Sequence, residues 1–185
     1  MKKLIFFVLT ILFVVMQNSV SAVENHGGQD TEKPRIGIYD SRIVAVASTR
    51  TDEFKQWVQK MKSEYENAIT KGDTIQAKLL EKKGSTSQDI MHKQAFSTYP
   101  ITDILEKVKD KIPEVAEKVN VSCIVNKWAI AFQNEDIEYV DVTLEMAALF
   151  TDSEEIKNMY KQFPAQPMSL TEMEIGTATG ELDAR

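Results

Sequence analysis

Apolar residues change their spacing several times along this chain, and each change marks an element. Positions 4–16 are uncharged and, Thr10 apart, apolar. After a polar stretch through residue 34, Ile36, Ile38, Ile43, Val44 and Val46 form a β-rich run. It predicts a strand over 35–39, with Asp40 and Ser41 as a natural bend before the chain continues or turns away. From Thr51 the period lengthens. Phe54, Trp57, Val58, Met61, Tyr65 and Ile69 recur at steps of three and four, the mark of an amphipathic helix that Thr51 or Asp52 can cap. Lys71, Gly72 and Asp73 stop it. A second helix carries Ile75, Leu79 and Leu80 and is expected to end at Gly84 and the polar residues 85–87. Ile90, Met91, Ala95 and Phe96 suggest a third, short one.

The strongest helical pattern follows Tyr99 and Pro100. Ile101, Ile104, Leu105, Val108, Ile112, Val115 and Val119 share one face. Pro113 interrupts it, so a kink, or a break with a restart, is expected there. Residues 122–126 and 128–132 read as two strands of a β-hairpin turning near Asn126 and Lys127. A polar connection, 133–138, leads to a helix over 142–150 capped by Asp141. Asp152 and Glu155 resemble a capping box for another helix ending before Pro164. Residues 164–185 show no period and read as a disordered tail.

Charge and composition narrow the function. The chain carries 22 basic against 28 acidic residues, net −6, which argues against a nucleic-acid partner because phosphates demand a basic surplus. One Cys and two His exclude an internal disulfide and a structural zinc site. Lys2 and Lys3, the apolar run and the small residues Val20, Ser21 and Ala22 together read as a signal peptide, 1–22, cleaved after Ala22. The expected location is therefore the periplasm, with no stable membrane insertion after cleavage. Residues 23–34 read as a flexible leader. Loss of Lys2 and Lys3 leaves 20 basic against 28 acidic groups, net −8, in the mature chain. Segment 50–99 holds nine basic and seven acidic residues, net +2, so the remainder carries the acidity.

Several motifs, taken in order, resemble one family. Arg35-Ile-Gly-Ile-Tyr-Asp-Ser is similar to the opening strand of the Skp/OmpH periplasmic chaperones. Tyr99-Pro-Ile, Val115-Ala-Glu, Cys123-Ile-Val, Ala129-Ile-Ala-Phe and Asp141-Val-Thr-Leu-Glu-Met resemble its carboxy-terminal half in order and spacing. The chain would be a shortened, acidic, divergent member. The resemblance implies an α+β fold: a small antiparallel or mixed β body over 35–163. A helical hairpin or helical cluster, 50–99, is inserted between the first strand and the C-terminal β-hairpin, with helices at the C-terminus. It also implies a homotrimer whose arms enclose unfolded outer-membrane or exported proteins, with no ATP, no other cofactor and no catalytic residues. Physical reasoning agrees on self-association: without leader, arm and tail only about 75–80 residues remain, too few for a robust core.

Phe54, Trp57, Met61, Tyr65, Met91 and Phe96 are the candidate client contacts, since aromatic and Met side chains adapt to many apolar partners. The plainer alternative is packing against the neighbouring helix. Cys123, inside an apolar strand, reads as a small buried hydrophobe. His26 and His92 stand in unrelated polar contexts. The acidic run 134–138 lacks the ligand spacing of a calcium loop and reads as a solvated connection. No phosphate loop, nucleophile elbow or paired-Cys motif occurs. An ATP-independent holdase chaperone is therefore the first expectation. A non-catalytic envelope structural or adaptor protein, binding one folded partner through the short arm, is the second.

Overall fold

Asp40 decides the first turn of the chain. A computed structural model describes residues 33–179, and strand β1 (Arg35–Tyr39) opens them. The Asp40 carboxylate accepts from the Arg42 backbone N–H and so caps helix α1 (Ser41–Ser48). Ile43, Val44 and Val46 therefore lie on a helix and do not extend the strand. Burial outweighs their β preference: Ile43, Val44, Ala45 and Ala47 are all in the interior.

Thr51 caps α2 (Asp52–Thr70) by accepting from Phe54 N–H. Gly72, at φ +71°, makes the reversal into α3 (Thr74–Phe96), where Asp73 caps. α3 runs unbroken through Gly84 and 85–87, so the expected stop and separate third helix do not exist. Ala68, Ala77 and Leu80, with Met61 against them, hold the two helices together as an antiparallel hairpin. Next come α4 (Thr102–Glu106), a 3-10 turn (Lys109–Lys111) and α5 (Ile112–Lys118). The pattern predicted over 101–119 thus breaks and restarts at Ile112, with Pro113 in the first turn of α5, where no ladder bond is lost.

The sheet corrects the expected body. Its order is β2 (Cys123–Asn126), β1, β3 (Glu138–Asp141), and both pairings are parallel, with Ile36 opposite Cys123 on one side and Tyr139 on the other. An antiparallel or mixed body with a hairpin at 122–132 is not what forms. The Asn126 side chain accepts from Trp128 N–H, turning Lys127–Ala129 into a 3-10 turn where a second strand was expected. Residues 130–137 then cross to the far side of β1, and β3 forms between the expected polar connection, 133–138, and the next helix, where no strand was expected. β1, the first strand in sequence, is thereby central in space.

α6 (Thr143–Ala148) and α7 (Glu154–Gln162) follow, the latter capped by Ser153, which accepts from Ile156 N–H. The tail was expected to be disordered, yet 164–179 is ordered. It contains α8 (Leu170–Thr179), in which Met173 is fully buried, and Met168 N–H donates to Phe96 C=O at 2.9 Å. The described part is therefore α+β, with eight α-helices and one three-stranded parallel sheet. The signal peptide assigned to 1–22, leader residues 23–32 and tail residues 180–185 lie outside the described residues.

Two cores share α1. Val44 and Ala45 join Tyr39, Ile101, Ile104, Val115, Val142 and Met146 in one. Ile43 and Ala47 join Ala147 and Ile156 in the other. Gly37 lets the layers approach: a Cβ there would stand 3.1–3.3 Å from Ile124, Val121 and Val142 side chains.

Candidate functional site

The most densely bonded polar cluster lies at the carboxyl ends of the three parallel strands. Asp40, only 1% exposed, accepts at Oδ1 from Arg42 N–H, Arg42 Nε and Trp128 Nε1. At Oδ2 it accepts from Arg42 Nη2 at 2.8 Å and Lys127 Nζ at 2.9 Å. The Arg42 guanidinium lies 4.9 Å from the centroids of both Trp128 and Phe163. It also donates to the carbonyls of Pro164 and Gln166. Burial alone would raise the Asp40 pKa. The bonds from Arg42, Lys127 and Trp128, with the Arg42 charge, more than reverse this and hold it near about 2. A carboxylate with both oxygens so occupied is poorly suited to proton transfer; the cluster ties β1, the 3-10 turn after β2 and the chain after α7 into one unit. Nearby, Asp141 accepts from the Tyr160 hydroxyl and from Thr143 N–H. Burial, then the Asp141 bond, raises the Tyr160 hydroxyl to about 12.

The sequence reading overlooked this cluster. Asp40 was legible as a bend, but Arg42 looks like any surface arginine. Its burial depends on Phe163 and two carbonyl oxygens more than 120 positions away.

A second site is concave and apolar. At the root of the hairpin, α1, α2, α3 and α4 enclose an open cavity of about 520 Å³. Phe54 and Trp57 of α2 form one wall, with ring centroids 5.6 Å apart. Met91, Ala95 and Phe96 of α3 face them, and Ala45 and Ile104 contribute from α1 and α4. The spacing explains much of the convergence: positions 54 and 57 of one helix, and 91 and 95 of the next, each share one helical face. Four of the six proposed contacts, Phe54, Trp57, Met91 and Phe96, thus meet in one cavity. The other two do not. Met61 packs into the hairpin's own small core, and Tyr65, 38% exposed, stands further along α2.

Seven of the fifteen residues lining the cavity are polar or charged. The buried Gln94 side chain gives both amide hydrogens to Pro100 C=O and Asp103. Ser48 and Thr49 return their hydroxyls to carbonyls of α1. His92, expected in an unrelated polar context, lines the wall edge-on to Phe96 at 6.1 Å. Glu53, Asp103 and Lys107 lie at the rim.

Cys123 is exposed and not buried as expected, because it opens β2 at an outer edge of the sheet. The acidic run is a loop in which Asn134 accepts from Asp136 N–H before β3 begins. Among the described residues, no group of three or more His, Cys, Asp or Glu side chains could hold a metal ion. None of the described helices is long and apolar enough to cross a membrane. No protein-family model, no curated protein and no solved structure matches this chain with significance.

Proposed function

We propose that this chain is an ATP-independent holdase of the periplasm, of the Skp/OmpH kind, which binds unfolded outer-membrane or exported proteins without a cofactor. The convergence of Phe54, Trp57, Met91 and Phe96 on one open apolar cavity carries the reading. Adaptable walls of aromatic and Met side chains suit capture of many sequences. Two further features support it. A helical hairpin stands in the connection between β1 and its neighbour β2. The outer edges of β2 and β3 pair with no other strand among the described residues, which favours assembly with further copies, as a homotrimer.

The test combines light scattering on the mature protein with suppression of aggregation of an unfolded outer-membrane protein. A trimer that keeps the client soluble is expected; a monomer without protective effect overturns the reading. Trp57→Ser lowers capture with little change in melting temperature, whereas Met61→Ser lowers melting temperature because Met61 packs against Ala68, Ala77 and Leu80. Ile69, Ile75 and Leu79, exposed by 56–82% at the far end of the hairpin, favour the second reading, an adaptor docking one folded envelope partner. Its signature is a saturable one-to-one complex without holdase activity.

A further inference from the structure

The cavity at the hairpin root has features that narrow what it can hold. At about 520 Å³ it falls among pockets that admit small organic groups, about 300–1,000 Å³. It is too small for a folded partner and large enough for one or two large side chains. Phe54, Trp57, Met91 and the 41% exposed Phe96 line it, above the buried Ala45 and Ile104. Such walls favour another ring, through offset or edge-on stacking and sulfur–ring contact.

Two polar groups in these walls have no hydrogen-bond partner among the described residues: the Trp57 indole N–H and the His92 imidazole. The rim sets Glu53 and Asp103 beside Lys107, so neither a lone anion nor a lone cation meets a mouth of one sign. A group with donors and acceptors in alternation does fit, and a peptide backbone is such a group.

We propose that the cavity is a receptor for one aromatic side chain of an extended peptide segment, whose backbone spans the Glu53, Asp103 and Lys107 rim. This rests on the holdase reading of the same site and sharpens it. Clients are selected by an aromatic residue and not only by being unfolded.

The test uses the mature chain and end-labelled peptides of Gly and Ser around a central Phe, Leu or Ala, followed by fluorescence polarisation. The Phe peptide binds tighter than the Ala peptide by about tenfold or more, the ratio expected for burying one such side chain. Ala95→Phe, which fills the cavity from α3, removes the preference. Equal affinity for the Phe and Leu peptides, or for the Phe and Ala peptides, overturns the proposal, as does a preference that survives in folded Ala95→Phe. If that variant fails to fold, the comparison of peptides on the unaltered chain decides alone. Aggregation suppression measured on the same protein separates the two ideas. Suppression without a Phe preference overturns the receptor and leaves the holdase; a Phe preference without suppression does the reverse.

Discussion

Asp40 joins the end of β1 to α1 and to the turn after β2, and its energetics are those of a buried charge. Removing one partner of such a pair leaves the others desolvated and uncompensated, at a cost of about 3–5 kcal/mol. Asp40→Asn keeps the shape but leaves the Arg42 guanidinium buried without its counter-ion. Thermal denaturation should show a melting temperature lower by about 10 °C or more. The pH dependence has a definite sign. The folded-state pKa of about 2 lies below the ordinary 3.8, so the stabilisation is complete above the ordinary value and is lost as pH falls through about 2. Its size is about 2 kcal/mol. Urea midpoints measured at descending pH should fall through this window, and Asp40→Asn should lack that part of the slope. A variant with an unchanged acid limb would show that Asp40 is not what titrates.

Helix α3 illustrates how far element boundaries can be read from side chains. Gly84 among polar neighbours looks like a stop, yet the helix continues, and a Cβ added there meets nothing within 4 Å. Gly84→Ala should therefore stabilise the protein by about 1 kcal/mol, through helix propensity and a restricted unfolded chain. Gly72 also has open space, but its φ of +71° makes Gly72→Ala costly by about 1 kcal/mol. Chemical denaturation of the two variants should shift the midpoint in opposite directions; a loss of stability in Gly84→Ala would mean that the glycine accommodates a bend. Elements announced by their own residues were legible: α2 through its period and the Thr51 cap, and the restart at Pro113 through the proline's missing N–H. Elements determined by distant partners were not. β3 has only four residues and depends on β1 for pairing; Ile43 to Val46 became helical because two cores bury them. α8 is fixed by Met173 in the interior and by Lys93, which bridges Asp89 and Glu174 at 2.9 and 2.6 Å. The cavity was half legible: its stripe could be read along each helix, but which members would meet required knowing how the hairpin folds back. Met61 and Tyr65 share the stripe and miss the cavity.

Across the whole molecule, apolar contact is unevenly shared. Two cores surround α1, whereas the far half of the hairpin is held by little more than Met61, Ala68, Ala77 and Leu80. Opening free energy follows local packing. Hydrogen exchange should therefore be fastest over 62–80 and slowest in β1 and α1, and uniform protection would mean that another surface covers the hairpin's end. The net positive charge of 50–99 does not reach this end: 62–80 holds three basic and three acidic residues and is neutral, so its exposure, not its charge, is what it offers a partner.

The clamp on Arg42 has a consequence for how this protein can change over generations. Its two distal acceptors are carbonyl oxygens at 164 and 166, which every amino acid supplies. The letters at those positions can drift without loosening the lock, while Arg42 itself cannot. Kinship among such chains would fade first in the tail, even where the tail is still grasped in the same way.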